Sequence, residues 1–129
     1  MLITSIPQYI QGITNAKIDL TDTDNEILYT APSGADFNAS VVNSILVSND
    51  SGSADTITVT LVSGSDTFSV FKLEEVGAVS TKELLSKDLI LQSGEIIKVQ
   101  AATGARLHVI ASKQEISKTR ITTSALSNI

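Results

Sequence analysis

Alternation of apolar and polar residues with a period of two runs through much of the chain and predicts β-strands. In TITVTLV, residues 56–62, Ile57, Val59 and Leu61 point one way and the threonines point the other. Residues with branched β-carbons fit strands well, so this segment carries the strongest strand signal. The same alternation recurs in IIKVQA and RLHVIAS, which begin at residues 96 and 106. All three segments predict strands with one buried face.

Weaker strand patterns separated by turn signals complete the prediction of an all-β fold. These patterns are ILYTA (27–31), VVNSILVS (41–48), TFSVFKL (67–73), AVSTKELL (78–85) and LILQ (89–92). Short turns such as PSG, SGSD, QSGE and ATGA separate them at regular intervals. This spacing predicts an antiparallel β-sandwich or jelly roll of about eight short strands. One helical turn within residues 80–88 is the alternative for that stretch.

Some of the weaker strands do not alternate cleanly and carry apolar residues on both faces. In the segment that begins at Val41, strict alternation places Ile45 and Val47 opposite Val42 and Leu46. In residues 67–73 it places Phe68 and Val70 opposite Phe71 and Leu73. A strand that is apolar on both faces needs a cover on its outer face in a two-layer fold. Two alternatives stay open, ordinary scatter of surface apolar residues or a subunit interface.

Both ends of the chain are too apolar for solvated tails and too irregular for amphipathic helices. We interpret residues 1–25 and 116–129 as extended arms that flank a β-sandwich domain over residues 26–115. Such arms contact a neighbouring subunit or add a strand to its sheet edge. The alternative is that they are edge strands of their own domain. The interface residues predicted on the arms are Ile3, Ile6, Tyr9, Ile10, Ile116, Ile121, Leu126 and Ile129.

Charge argues against nucleic acid and in favour of self-association. The net charge is −5, whereas phosphate binding needs clustered Lys and Arg. Up to Glu75, ten acidic residues face two lysines, and from Val76 onward four acidic residues face seven basic ones. One half of a subunit can therefore dock on the other half of a neighbour. With only 18% charged residues, we expect a homo-oligomer, a trimer or a ring.

Neither export nor membrane insertion is predicted. The first residues, MLITSIPQYIQG, lack the positive flank and the unbroken apolar stretch of a signal peptide. No apolar run approaches the length of a membrane span. The chain has no cysteine, so neither disulfides nor thiolate metal sites stabilise it. We expect a soluble protein made in the cytoplasm, with a fold held by aliphatic burial.

The sequence contains no pattern that supports catalysis. His108 is the single histidine, and its place between Leu107 and Val109 turns it outward, without a partner to orient it as a catalytic base. Paired carboxylates for glycoside hydrolysis usually lie in a cleft lined by aromatic residues, which make up only 4% of this chain. We therefore expect a non-enzyme with no cofactor. The carboxylates considered for hydrolysis are Glu74, Glu75, Glu83 and Glu95.

Two polar loops, at residues 19–26 and 49–55, are candidates for ligand sites. An EF-hand loop that starts at Asp22 fails, because Ile27 and Ser33 occupy the positions of its Gly and Glu. An irregular calcium site on Asp22, Asp24 and Glu26 stays open, the alternative being a solvated acidic linker. The loop at residues 49–55 has Asn and Asp for Asx turns and Gly52 for positive φ, so it predicts a self-bonded turn and not a site.

Three stretches together resemble a class of known proteins. They are ILYTAPSG, then VVNSILVSNDSGSADTITVTLVSGSDTF, then LLSKDLILQSGEIIKVQAATGARLHVIASKQEI. They resemble small β-sandwich virion structural proteins of tailed bacteriophages, particularly those of marine and cyanobacterial hosts. Shared features are a Tyr-Thr-x-Pro strand, a Ser-Gly-rich turn after Asn, a Thr-Val-rich strand and a Leu-x-x-Gly-Glu/Asp turn. The resemblance covers residues 26–115.

This resemblance implies a non-enzymatic structural role in a virion. The subunit would be a capsid decoration or cement protein, or an accessory of the neck or tail, with other virion proteins as partners. The resemblance brings no functional residues with it. The alternative function is a host-surface or glycan-binding module of a tail fibre or decoration protein, for which Tyr29 and Phe37 are the residues to test.

Overall fold

The computed structural model describes residues 9–118, which fold into nine strands and no helix. Each strand pairs in an antiparallel manner with its neighbours. The strands are β1 Tyr9–Leu20, β2 Glu26–Thr30, β3 Phe37–Asn49, β4 Asp55–Ser63, β5 Asp66–Val76, β6 Ser80–Glu83, β7 Leu89–Leu91, β8 Ile96–Ala101 and β9 Leu107–Ser117.

The strands form two sheets that enclose one core. In the first, called sheet I, the order is β1-β9-β3-β6, and β7 also pairs with β3. In the second, called sheet II, the order is β2-β8-β4-β5. Strands β6 and β7 pair with separate stretches of β3, Leu46–Asn49 and Ser40–Val42. Counted as one interrupted strand, they give eight strands with the connectivity of a jelly roll.

Aliphatic burial between the sheets holds the fold, and the predicted alternation is confirmed where it was strongest. Ile57 and Val59 of β4 are buried, and so are the inward residues of β8 and β9. A buried aliphatic side chain contributes about 1.5–3 kcal/mol. The largest fully buried side chains are Leu20, Ile45, Ile57, Leu91, Ile97, Leu107, Val42, Val47, Val59, Val76, Val99 and Val109.

The prediction of an N-terminal arm over residues 1–25 is wrong for Tyr9–Leu20. This stretch is strand β1, which pairs with β9 from Tyr9↔Ser117 to Leu20↔Leu107. It therefore matches the alternative of an edge strand of its own domain. Strand β9 likewise continues through Ile116 to Ser117, so the first residues assigned to the C-terminal arm belong to sheet I. Pairing across the sheet satisfies backbone groups that an isolated arm would leave to water.

Val42 was predicted to point away from Ile45 and Val47, and a β-bulge in β3 makes this prediction wrong. The pairing of β3 with β9 shifts by one residue between Val42 and Ser44, so the side chains of Val42, Ile45 and Val47 point to the same face. All three side chains are buried, and Leu46 alone points outward. The stretch considered as a helical turn instead contains β6, followed by a link to β7.

Candidate interaction surface

The outer face of sheet I carries five exposed large aliphatic side chains, among them Leu46 of the strand that was predicted to be apolar on both faces. Cross-strand registers place Ile110 beside Leu46, and Gln114 between Ile13 and Val41. Val41 in turn lies beside Ile90. The fractional exposures are 70% for Ile13, 59% for Ile10, 51% for Ile90, 39% for Ile110 and 38% for Leu46. These side chains form an apolar band across the strands.

The outer face of sheet II is polar along its central strands. Strand β4 turns Thr56, Thr58 and Thr60 outward, opposite Lys98 and Gln100 of β8. The exposed large apolar residues of this sheet are Ile27, Phe68 and Leu73, on the edge strands β2 and β5. The two layers therefore differ in what they present, and only the face of sheet I combines exposed aliphatic residues on four adjacent strands of the described chain.

Beneath one end of the apolar band lies a polar network inside the sandwich. The Tyr29 hydroxyl donates to Glu115 Oε2 at 2.7 Å and accepts from Ser40 Oγ at 2.6 Å. Lys113 Nζ donates to Thr14 Oγ1 at 2.7 Å and to Glu115 Oε2 at 3.2 Å. The ammonium also lies 4.5 Å from the centre of the Tyr29 ring, a cation–π contact. At this end, β9 turns the polar residues Lys113 and Glu115 inward.

The network sets the ionisation of its members. Burial raises the pKa of the Tyr29 hydroxyl, and the neighbouring Glu115 carboxylate raises it further although Ser40 opposes this. Burial alone would raise the pKa of Glu115, but the bonds from Tyr29 and Lys113 outweigh it and lower that pKa. Glu115 therefore stays ionised and balances the buried Lys113 ammonium.

Glu83 closes the bulge of β3 at the edge of sheet I. Its carboxylate accepts from the Ser44 hydroxyl, from Ile45 N at 2.8 Å and from Leu85 N at 3.1 Å. Burial opposes ionisation, but these hydrogen bonds outweigh it and lower the pKa of Glu83 below its ordinary value of 4.5. The carboxylate thus supplies acceptors where the bulge interrupts the β-ladder.

Stability is expected to fall at acidic pH because the folded state holds Glu83 and Glu115 ionised. A carboxyl group whose pKa is lowered by folding stabilises the protein above its unfolded pKa, near 4.5, and that contribution disappears as the pH falls through the folded pKa. Urea unfolding at pH 7, 5, 4 and 3 measures this loss. In Glu83→Gln the loss below pH 5 should be smaller than in the wild type, and an equal loss would contradict this assignment.

The predicted interface residues fall into two groups. Ile10 and Ile116 are paired with each other in neighbouring strands β1 and β9, and Ile116 also pairs with Ala39 of β3. Tyr9 begins β1. The remaining predicted residues lie outside the described residues, and they are Ile3, Ile6, Ile121, Leu126 and Ile129.

His108 lies on the outer face of sheet I between two carboxylates. Its Nδ1 is 3.0 Å from Asp19 Oδ1 and its Nε2 is 3.2 Å from Asp50 Oδ2. Because each ring nitrogen contacts a carboxylate, neither is positioned to take a proton from a hydroxyl nucleophile. The arrangement ties β1 and the loop after β3 to β9, and it gives no support to a nucleophilic triad.

The carboxylates of Glu74, Glu83 and Glu95, three of the four residues named for hydrolysis, have structural partners, and Glu75 is contacted through its backbone carbonyl. Glu74 forms an ion pair with Lys82, and Lys82 Nζ also donates to the Glu75 carbonyl oxygen at 3.2 Å. Glu95 Oε1 accepts from Gln92 N at 2.7 Å within a turn. Tyr29, considered for glycan contact, is buried with its hydroxyl in the network, and Phe37 packs against the core. These two aromatic residues do not form a stacking platform.

The acidic residues Asp22, Asp24 and Glu26 can each place one carboxylate oxygen within 4.8 Å of the others. Asp24 N donates to Asp22 Oδ1 at 2.9 Å, which makes an exposed Asx turn between β1 and β2. Calcium takes about six to eight oxygen ligands, of which these three residues supply three. They are the residues of the described chain that could hold a cation, and the arrangement is equally that of a solvated acidic turn.

The loop between β3 and β4 is the self-bonded turn that its composition predicted. Asn49 Oδ1 accepts from Ser51 N at 2.9 Å and from Ser51 Oγ at 2.7 Å. Asn49 Nδ2 donates to the carbonyl oxygens of Ser53 at 2.9 Å and Val76 at 3.1 Å. At 1% exposure, the Asn49 side chain is enclosed by the loop that it organises.

Comparisons with known proteins leave the family of the chain open. No family model matches it, and no curated protein matches it. A chain in the structure of infectious bursal disease virus Gx strain aligns with 86% of this chain at 10% identity and a TM-score of 0.37. This chain spans 30% of the length of that viral chain. At that TM-score the likeness supports no conclusion about the role of this protein.

Within residues 9–118, no helical segment has the length and hydrophobicity to cross a bilayer.

Proposed function

We propose that the protein is a non-enzymatic structural subunit of a tailed-phage virion. It packs against other virion proteins and against copies of itself, as a capsid decoration or cement protein or as an accessory of the neck or tail. The phage assignment is supported by the sequence resemblance over residues 26–115. The structural role is supported by the outer face of sheet I.

The apolar band on that face is the observation that carries the proposal. Five large aliphatic side chains are more than one third exposed on one side of sheet I, whereas sheet II exposes Ile27, Phe68 and Leu73 on its two edge strands and threonines, lysine and glutamine on its central strands. Exposed apolar side chains concentrated on one face of a domain mark an interaction site, although here the polar row of Asn15, Ser112 and Ser44 separates Ile110 and Leu46 from Ile13 and Ile90. When another subunit covers this sheet in an assembly, the apolar surface is buried away from water, and its burial stabilises the assembly.

The terminal segments extend this contact in the proposed assembly. Tyr9 pairs with Ser117, so the described chain begins and ends at the same end of sheet I, beside Ile10 and Ile116. We propose that residues 1–8 and 119–129 contact neighbouring subunits of a trimer or ring. Their contribution comes from the aliphatic residues of these segments, which are Ile3, Ile6, Ile121, Leu126 and Ile129.

A charge placed in the apolar band should prevent assembly without unfolding the subunit. Ile110→Lys puts an ammonium at the middle of the face, where a covering subunit would have to desolvate it. We expect incorporation into particles to fall by at least tenfold while the melting temperature stays within a few degrees of the wild type. Incorporation is measured by adding purified variants to particles that lack this protein, followed by sedimentation.

The matched control is Ile27→Lys, the same substitution at an exposed isoleucine of sheet II. It should be incorporated as well as the wild type. The structural role is overturned if the wild-type protein binds neither itself nor any component of the particle. It is also overturned if a folded Ile110→Lys protein is incorporated as efficiently as Ile27→Lys.

A further inference from the structure

The outer face of sheet I is organised in rows of side chains that cross four strands. In one row, Lys17 of β1 lies beside Ile110 of β9, which lies beside Leu46 of β3, which lies beside Glu83 of β6. Paired residues of antiparallel strands project from the same face. Read from one edge of the sheet to the other, the row is therefore cation, aliphatic, aliphatic, anion.

Beyond the polar row of Asn15, Ser112 and Ser44 lies a row that is symmetric at its two ends, while its inner residues, Gln114 and Val41, differ. Ile13 of β1 lies beside Gln114 of β9, which lies beside Val41 of β3, which lies beside Ile90 of β7. The two ends of this row are exposed isoleucines. A reversed copy of the row would therefore place isoleucine on isoleucine at each end.

Reversal of the rows is what a two-fold axis parallel to the strands produces when two such faces pack together. The axis exchanges the β1 edge of one copy with the β6 and β7 edge of the other. Lys17 then faces Glu83 of the second copy, and Ile110 faces Leu46 of the second copy. Ile13 likewise faces Ile90 of the second copy. A patch that pairs with its own reversed image is what an isologous interface requires.

We propose that a second copy of this chain packs face to face on the outer face of sheet I, about a two-fold axis between β3 and β9. This proposal rests on the structural role proposed above and names its partner. The axis keeps the strands of the two facing sheets aligned, the usual arrangement of sheets stacked about 10 Å apart. The contact closes at two copies, so it gives a dimer alone and joins two trimers or rings back to back.

Charge complementarity selects the second copy over an unrelated partner. The row nearest the other end of the strands is Asp19, His108, Ser48 and Thr81, and its reversal sets Asp19 against Thr81 of the second copy. In these three rows no like charges oppose each other, and each Lys17 meets a Glu83. Opposed charges of this kind fix the register of an interface more than they add to its affinity.

A single introduced thiol tests the position of the axis, because the chain has no cysteine. Ser112 of β9 projects from the outer face of sheet I, beside Ser44 of β3, and so lies next to the proposed axis. Ser112→Cys treated with a short bismaleimide should give a covalent dimer in most of the protein. The control is Ser69→Cys on the exposed strand β5 of sheet II, which should stay monomeric under the same treatment.

A charge reversal tests the register. Lys17→Glu sets one glutamate against Glu83 of the second copy at each end of the row, and we expect the dimer dissociation constant to rise about tenfold. Lys98→Glu makes the same change of charge on sheet II and should leave that constant unchanged. Like-charge repulsion is screened by salt, so the difference between the Lys17→Glu protein and the wild type should narrow at 1 M NaCl. Analytical ultracentrifugation gives the constants.

The proposed packing and the proposed function fail in different ways. A protein that assembles while Ser112→Cys stays uncross-linked, or cross-links no more than Ser69→Cys, overturns the two-fold packing and leaves the structural role intact. A purified protein that is monomeric at millimolar concentration also overturns the packing. Equal dissociation constants for Lys17→Glu and the wild type overturn the register and with it the proposed axis.

Discussion

Asn49→Ala is expected to lower the free energy of unfolding by about 3 kcal/mol, because a buried group left without its partner costs about 1–3 kcal/mol. The substitution removes four hydrogen bonds, among them those that Asn49 donates to the carbonyl oxygens of Ser53 and Val76. The Ser53 oxygen keeps the Ser51 hydroxyl as a donor, so the cost comes from the Val76 oxygen and from the loop that Ser51 closes onto Asn49. The melting temperature should fall by about 10 °C, measured by circular dichroism or calorimetry.

Asn43→Ala serves as the control, because Asn43 is exposed and reaches Asp88 Oδ1 only at 3.4 Å. Its effect should stay within about 0.5 kcal/mol, as at other exposed sites. If both substitutions cost the same, the loop between β3 and β4 is not organised by Asn49. Assembly should be unaffected in Asn49→Ala at temperatures where it remains folded, because Asn49 points into the sandwich.

Glu115→Ala is expected to destabilise the protein by about 2–3 kcal/mol, since a buried ion that loses its partner remains as an uncompensated charge. The Lys113 side chain is only 11% exposed and that of Glu115 is 32% exposed. The ammonium therefore has less access to water than the carboxylate. The substitution also removes the acceptor of the Tyr29 hydroxyl. Urea unfolding at pH 7 measures the loss.

A second substitution distinguishes two causes of the destabilisation, the unpaired Lys113 charge and the lost packing of the Glu115 side chain. Lys113→Met in the Glu115→Ala background removes the ammonium and places a thioether beside the Tyr29 ring, where sulfur–aromatic contact is favourable. We expect it to recover at least half of the lost free energy. Glu74→Ala, which breaks the exposed pair with Lys82, should cost about 1 kcal/mol or less. Strict additivity of the two changes at Glu115 and Lys113 would contradict a coupled network.

The strands with clean alternation were predictable from the sequence, and their inward residues are the core. Strand β4 illustrates why, because every second residue from Asp55 to Val59 is buried and the intervening threonines face outward. The turn at residues 49–55 was predictable for a similar local reason, since Asn bonds to the backbone two residues on, but the positive φ predicted for Gly52 is wrong. Where local preference and burial agree, the sequence is sufficient.

Strand β1 and the bulge of β3 were not predictable, because long-range pairing determines them. Strand β1 turns isoleucines outward at positions 10 and 13 and places Thr14 against the buried Lys113, so its pattern reads as irregular. The bulge between Val42 and Ser44 reverses the alternation within one strand. Its stabilising contact, Glu83, comes from a distant strand, and no periodicity within β3 reveals it.

The sequence predicts that some apolar side chains point outward, but it does not predict which of them lie side by side in the apolar band. The sequence shows that some strands are apolar on both sides, as for Leu46 among buried neighbours. It does not show that Leu46 lies beside Ile110 or that Lys17 and Glu83 lie at opposite ends of one row, since the order β1-β9-β3-β6 joins segments from both ends of the chain. The arrangement that makes the face self-complementary exists only after the sheet has formed.

The place of β9 at the centre of sheet I has a consequence for the order of events during synthesis. Of the nine strands of residues 9–118, β9 is synthesised last, yet it pairs with both β1 and β3, so β1 cannot complete its pairing until β9 has been made. Pairing over such sequence separations is slow. Every row of the outer face draws one residue from β9, and a chain that ends early therefore has no such face. Truncated products are kept out of the proposed assembly by topology alone.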